Sequence, residues 1–285
     1  MPKNQATWIS FPHSDKAYDY SGARLKKHWG RLHQGDREPF PDAAGLKKLV
    51  KAHPELEPPV SLEKAATGLQ EAWRAYHRGD FGEAIEGATA LGPIGSNAAN
   101  KAANIYATYL ETDPDRKLKL LLDSAKRAEA LQKIAGTLAN AYYFHAQALG
   151  RYGQALSVAK ALAEGLGGKI KASLDRAVKL EPEHAEAHIA LGAYNAVVVK
   201  QLGALVGNLT YGASKDEALR HFQLALRLCT TSAIARIEYA NGLAMLFGRS
   251  RMADATKLYE EAAACVPVDA MERLDVELAK AEIAA

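Results

Sequence analysis

Apolar and polar residues alternate with a helical period along most of the chain from Ser61 onward. The run Ser61-Leu-Glu-Lys-Ala starts one helix, which carries Trp73 and Tyr76 on its far half. Alanine recurs throughout and runs of β-branched residues are scarce, a bias that favours helices over strands. The pattern therefore predicts an all-α fold.

Small residues return at matching places in successive predicted helix pairs. Ala218, Phe222 and Ala225 illustrate the spacing, in which one large side chain is wedged between small residues where two helices cross closely. The residues that we expect to pack between helices are Ala84, Ala128, Ala177, Pro182, Leu191, Gly192, Ala218, Phe222, Ala225, Tyr259 and Ala262. This recurrence predicts stacked helix pairs, although a generic helical hairpin is an alternative for residues 79–85.

The repeat has an unusual length. Aligned positions of the second helix in each pair are Leu91, Ala128, Ala177, Ala225 and Ala262. Their spacings are 37, 49, 48 and 37 residues, whereas a plain tetratricopeptide repeat (TPR) has about 34. Two repeats are therefore enlarged, either by longer helices or by loops, and glycines at 165–168 and 203–212 predict that part of each insert is not helical. We predict a TPR-like right-handed superhelix (α-solenoid) of antiparallel helix pairs.

The first 58 residues form a separate unit in this interpretation. Residues 1–20 look irregular, a basic helix capped by Ser21 is predicted over 21–33, and Asp42 caps a second helix that ends near Ala52. The prolines of residues 54–59 break the chain, so we predict an N-terminal extension (1–58) and a repeat domain (59–285). Trp29 and Leu32 are expected to face inward while the basic face with its histidines is solvated; docking of that face on a partner is the alternative.

Residues from about 140 to 262 resemble two related families. The likeness to the regulator of microtubule dynamics family is carried by Ala141-Tyr142-Tyr143, Ile170-Lys171, Ala177, Leu180-Glu-Pro182, His188, Leu191-Gly192, Ala218-Leu219 and Phe222. The likeness to the T-component of TRAP-type solute transporters lies in residues 211–222, Tyr-Gly-Ala-Ser-Lys-Asp-Glu-Ala-Leu-Arg-His-Phe. Both resemblances imply a helical repeat fold with a central groove or pore, and neither implies a particular ligand.

Composition and charge narrow the function further. Hydrophobic residues make up 48% and charged residues 24%, which is typical of a protein with a substantial core, and a net charge of +3 gives no concentrated basic surface for nucleic acid. Cys229 and Cys265 are interpreted as reduced thiols. The first seven residues have no apolar signal core, and the most apolar stretch, 189–205, is interrupted by polar residues. We therefore expect a cytoplasmic protein without a membrane span.

Three short patterns suggest chemistry, and each lacks a part that the chemistry needs. His184 and His188 are four residues apart, like paired metal ligands, but Ala185 stands where a metalloprotease has glutamate. Residues 163–170 resemble a phosphate-binding loop without its hydroxyl, because Ile170 takes that place. The Ser-x-x-Lys matches at 61–64 and 157–160 have no companion motifs. We predict no catalytic residue, no metal and no cofactor, and an enzyme is the least favoured hypothesis.

The concave face of the predicted array is the remaining candidate site. Residues expected to point into it are Asn140, Tyr143, Gln147, Asn195 and Tyr211. Tyrosine offers contact area with a polar tip, which suits a binding groove, although Tyr143 could instead pack between repeats. The main prediction is a non-catalytic scaffold that binds a protein or peptide partner. The alternative is an accessory protein of a TRAP-type transporter that binds a small apolar ligand between its inserts.

Overall fold

The computed structural model describes residues 8–284, and within them the chain is helical without a strand. Residues 1–7, for which the sequence predicts irregular structure and no signal, lie outside this range. The helices are α1 Arg24–Leu32, α2 Ala43–Ala52, α3 Leu62–Arg78, α4 Phe81–Ala90, α5 Ser96–Tyr109, α6 Pro114–Ile134, α7 Ala139–Gln154, α8 Val158–Ala163, α9 Leu166–Leu180, α10 Ala185–Leu202, α11 Ala204–Tyr211, α12 Lys215–Leu228, α13 Ala233–Phe247, α14 Met252–Ala263 and α15 Ala270–Ala284. The predicted all-α class is confirmed.

The longer helices pack in two layers. Helix α3 contacts α5, and the series continues from α5 to α7, α10, α13 and α15, which in turn contacts α3. We call these six the ring helices, because their contacts form a closed circuit. Helices α4, α6, α9, α12 and α14 each contact two consecutive ring helices. The ring helices therefore form an inner layer, and the other five surround it.

Small residues allow this close packing. Ala84, Ala128, Ala177, Ala218, Ala225 and Ala262 are fully buried. Phe222 of α12 is also fully buried, and it faces Gly192 on α10 and Gly242 on α13. A Cβ atom added to either glycine would lie about 2.5 Å from the Phe222 ring. Leu191 is buried too, whereas Tyr259 is half-buried and Pro182 is exposed.

The two inserts are mostly helical. The first contains α8 and ends at Gly165, whose φ of 65° starts α9. The second is α11, which is bounded by Gly203 and Gly212 with φ values of 81° and 65°. Glycine tolerates these positive φ values without the steric cost that a side chain would bring. The non-helical part of the inserts is thus short: residues 155–157 and 164–165 in the first, and Gly203 and residues 212–214 in the second.

The N-terminal extension packs on the ring. Leu25 and Trp29 of α1 belong to the same core cluster as Trp73 of α3 and Leu274 of α15. Tyr20 donates a hydrogen bond to the carbonyl of Val268 at 2.7 Å. The extension therefore bridges the first and the last ring helix, and it buries its apolar face there.

Two details of the extension differ from the prediction. Helix α1 begins at Arg24 with Ala23 at its N-cap and no side-chain cap, so Ser21 does not cap it; Asp42 does cap α2, by accepting from Gly45. His33 is not solvated: it is 3% exposed and stacks on Trp29, because Asp36 offers it a buried carboxylate 2.9 Å away. Trp29 and Leu32 face inward as predicted.

Two further predictions concern the cysteines and the membrane. Cys229 and Cys265 are both free thiols. Over residues 8–284, none of the helices combines the length and the apolar character needed to cross a bilayer.

Candidate functional site

A large cavity lies among the ring helices. Its volume is about 480 Å³, within the range of known small-molecule sites. The ring helices α5, α7, α10, α13 and α15 form part of its wall, and the inserts with α9 form the rest. The apolar lining includes Leu156, Val158, Leu162, Ile170, Val197 and Leu202. The enlarged repeats therefore supply much of the apolar wall.

Four polar residues on different ring helices also line the cavity. Tyr109 of α5 donates a hydrogen bond from its hydroxyl to Asp275 Oδ1 of α15 at 2.5 Å. Arg151 of α7 forms an ion pair with Glu238 of α13, with Nη2 and Oε1 3.1 Å apart. We call these four residues the polar cluster. They are widely separated in sequence and meet because the ring closes.

Burial changes the protonation of this cluster. It raises the pKa of the Asp275 carboxyl well above its usual value, and the nearby carboxylates of Glu272, Asp269 and Glu186 raise it further; the hydrogen bond from Tyr109 opposes the shift. Burial and the Asp275 carboxyl likewise raise the pKa of Tyr109. Asp275 is therefore stabilised in its neutral form when no cation is near.

A buried ionic cluster stands beside the cavity. Lys101 of α5 contacts Asp36 of the extension at 2.5 Å and Glu186 of α10 at 3.0 Å. Burial lowers the pKa of Lys101, but the two carboxylates outweigh it and the net shift is upward. Asp36 keeps a pKa well below its usual value, because His33 and Lys101 outweigh the effect of burial. Only Glu186 of this cluster reaches the cavity wall.

Three of the five predicted groove residues line the cavity: Tyr143, Gln147 and Tyr211. Tyr143 lies beside Glu186, and burial raises its pKa well above the usual value. Gln147 accepts a hydrogen bond from Asn104 at 2.9 Å. Tyr211 comes from the second insert and packs over Gly167.

The other two predicted groove residues are occupied elsewhere. The side-chain amide of Asn140 donates to Glu38 at 2.6 Å, and its side-chain oxygen Oδ1 lies 2.8 Å from His184 Nε2. Asn195 donates to the carbonyl of Leu191 and accepts from the amide of Ser214. Both side chains are buried, so their polar atoms tie segments of the fold together.

His184 and His188, which the sequence suggested as paired metal ligands, have different partners. His184 caps α10 through Nδ1, which accepts from the Ala187 amide. His188 pairs with His221 of α12, with their Nδ1 atoms 2.9 Å apart, and its Nε2 lies 2.9 Å from the carbonyl of Pro182. Over residues 8–284, no group of three or more His, Cys, Asp or Glu side chains is arranged to hold a metal ion.

A second cavity of about 460 Å³ lies between the extension and α5 to α7. One titratable residue of its wall is Glu38, which accepts hydrogen bonds from Asn97 and Asn140. Burial, together with the charge of Asp36, raises the pKa of Glu38 to about 7. This cavity therefore lies where the extension packs against the repeat helices.

The sequence analysis missed Tyr109, Arg151, Glu238 and Asp275. Asp275 did carry a signal, because it lies on the same face of α15 as Met271 and Ala279, which are four residues away on either side. A lone carboxylate among buried apolar residues is costly unless it has a role or a partner. Only the tertiary structure shows that Asp275 pairs with Tyr109 and lies in the same cavity wall as Glu238.

Comparisons with known proteins add no family to this description. The chain matches no protein-family model, and the search of curated proteins gives no match either.

Proposed function

We propose that this chain is a non-catalytic binding protein whose ring cavity holds a small, mainly apolar ligand. The observation that carries the proposal is the cavity of about 480 Å³, which combines an apolar wall with a few polar side chains. Ligand sites are commonly of this size and composition, because apolar walls provide affinity and a few polar groups orient the ligand. A small apolar ligand is also the alternative that the sequence predicts.

The inserts support this proposal. Val158 and Leu162 of α8 and Tyr211 of α11 line the cavity, although these helices add nothing to the circuit of ring contacts. A TPR-like curved array with plain repeats would lack these walls. We infer that the additional residues enlarge and cover a binding site.

A protein or peptide partner on an open concave face has less support. The contact between α15 and α3 and the packing of the extension occupy the open side that such a face would need. Asn140 and Asn195, which were expected to bind a partner, have their amides engaged within the fold. A partner peptide is therefore an alternative outcome of the ligand experiments.

The first prediction tests the cavity by filling it. Ala193 of α10 lines the cavity, whereas Ala172 of α9 is exposed and does not. We expect Ala193→Phe to weaken binding of the neutral fluorescent probe N-phenyl-1-naphthylamine by about tenfold or more, since the ring takes the ligand's volume. The matched control Ala172→Phe should bind the probe as the parent protein does.

Probe binding is measured by fluorescence titration, and thermal unfolding checks that both variants fold. Native mass spectrometry of the gently purified protein then reports whether a small molecule or a peptide copurifies. Equal probe affinity in the parent and Ala193→Phe proteins would show that the cavity is not the site.

A further inference from the structure

We propose that the ligand of the ring cavity carries an ammonium group on its apolar body and that Asp275 pairs with this group. This inference rests on the proposed function and adds the chemical class of the ligand. Asp275 is a buried carboxyl of the cavity wall. Within the described residues, its only hydrogen bond comes from the Tyr109 hydroxyl.

The other carboxyl groups of the cavity wall already have cations. Glu186 has Lys101 at 3.0 Å and Glu238 has Arg151 at 3.1 Å. Over residues 8–284, no Lys, Arg or His nitrogen forms an ion pair with Asp275. Asp275 is thus the one carboxyl of this wall that could take a cation from a ligand without breaking an existing ion pair.

The surrounding charges favour a positive ligand. Glu186, Asp269 and Glu272 all act on Asp275 as nearby negative charges. The cations of this region are engaged, since Lys101 is held by two carboxylates and Arg31 by Glu272. An anionic head group would have to displace Glu238 from Arg151 and approach several carboxylates, which costs free energy in a poorly hydrated site.

The Tyr109 hydroxyl completes the site. It donates to Oδ1 of Asp275, and among residues 8–284 no group forms a hydrogen bond with Oδ2; Asp275 belongs to the cavity lining. A charge-assisted hydrogen bond from an ammonium group to that oxygen would compensate for desolvating both partners. Where the Asp275 carboxyl holds a proton, that proton passes to the solvent as the ammonium binds, so the site exchanges one proton for one cation.

The test compares three compounds with the same chain and different head groups: decylamine, decanol and decanoate. Each displaces N-phenyl-1-naphthylamine from the parent protein. We expect decylamine to bind about tenfold more tightly than decanol, and decanoate to bind most weakly. In Asp275→Asn the decylamine advantage should vanish while decanol affinity stays within about threefold.

Two further variants complete the comparison. Asp216→Asn removes an exposed carboxylate on α12, away from the cavity, and should keep the decylamine preference. Tyr109→Phe removes the hydroxyl that holds Asp275 Oδ1 and stabilises the ionised carboxyl, so it should reduce the decylamine preference while decanol affinity stays within about threefold, and it tests the site if Asp275→Asn fails to fold. Thermal unfolding of each variant identifies a folding defect.

The outcomes separate the two proposals. If the probe and decanol bind but decylamine binds no better than decanol, the inference about Asp275 is overturned and the apolar cavity stands. Tighter binding of decanoate would likewise overturn it and make Arg151 the anchor. If neither the probe nor any of the three compounds binds, the proposed function fails together with the inference.

Discussion

At the residue scale, packing in this protein depends on where glycine and alanine stand opposite large rings. Phe222 lies between Gly192 and Gly242, at positions where α10 and α13 present no side chain. Interiors are packed so densely that an additional methyl group must push its neighbours aside. The ring of Phe222 therefore makes glycine necessary on both helices.

A substitution at this contact should be costly. Gly192→Ala places a Cβ about 2.6 Å from the Phe222 ring, and we expect it to lower the free energy of unfolding by about 1–3 kcal/mol. Gly30→Ala is the matched control, because Gly30 lies in α1 with no atom near its added Cβ. It should leave stability unchanged or raise it by up to about 1 kcal/mol. Urea denaturation of both variants gives the comparison, and a harmless Gly192→Ala would contradict the described contact.

At the scale of elements, the extension joins the two ends of the ring. Arg31 of α1 binds Glu272 of α15 through its two terminal guanidinium nitrogens, Nη1 and Nη2, at 2.5 and 2.9 Å. Both side chains are mostly buried, and Glu272 also accepts from the amide of Val268. A short helix thereby fixes the position of α15, the helix that carries Asp275.

The coupling energy between Arg31 and Glu272 can be measured by a double-mutant cycle. With Arg31→Met and Glu272→Gln, we expect a coupling energy of about 1–2 kcal/mol, because the pair is bidentate and largely shielded from water. The exposed pair Lys26–Asp42, 3.4 Å apart, is the control and should give about 0.5 kcal/mol or less. Chemical denaturation of the four proteins in each cycle provides the values. Equal coupling energies in the two cycles would show that the Arg31–Glu272 pair stabilises the protein no more than an exposed ion pair does.

At the scale of the molecule, closing the ring brings titratable residues into the interior. His33, Asp36, Lys101 and His184 come from the extension, α5 and the start of α10, yet all four are buried together. Burial lowers the pKa of His33 to about 4 and that of His184 to about 3. Both histidines are neutral in the folded protein at pH 7, while in the unfolded chain they titrate near 6.5.

The buried histidines predict sensitivity to acid. Below about pH 6.5 the unfolded chain binds protons that folded His184 does not, so the free energy of unfolding falls as the pH drops toward 4, by up to about 1.4 kcal/mol per pH unit for each such group. His184→Asn keeps a side chain that can cap α10 and should reduce this slope. Stability is measured by urea denaturation between pH 4.5 and 7. The exposed His28→Asn variant should keep the parent slope, and an unchanged slope in His184→Asn would refute the assignment.

Local features of the fold could be predicted because they depend on neighbours in sequence. Asp42 caps α2 at the predicted place, since a capping side chain needs only an amide three residues away. Apolar periodicity likewise indicated helices, and the small residues of the repeat marked buried positions such as Ala177 and Ala225. Ser21 was misjudged because the turn of residues 21–23 postpones the start of α1.

The site was decided by tertiary structure. Tyr109, Arg151, Glu238 and Asp275 are spread over more than half of the chain, and their meeting depends on how six helices close a circuit. The burial of His33 depends in the same way on contacts of the extension with distant helices. The sequence by itself determined the helices, their caps and their small packing residues, because these follow from interactions within a few turns. The tertiary structure alone decided the cavity and its unpaired carboxyl, because long-range packing sets which polar groups lose water together.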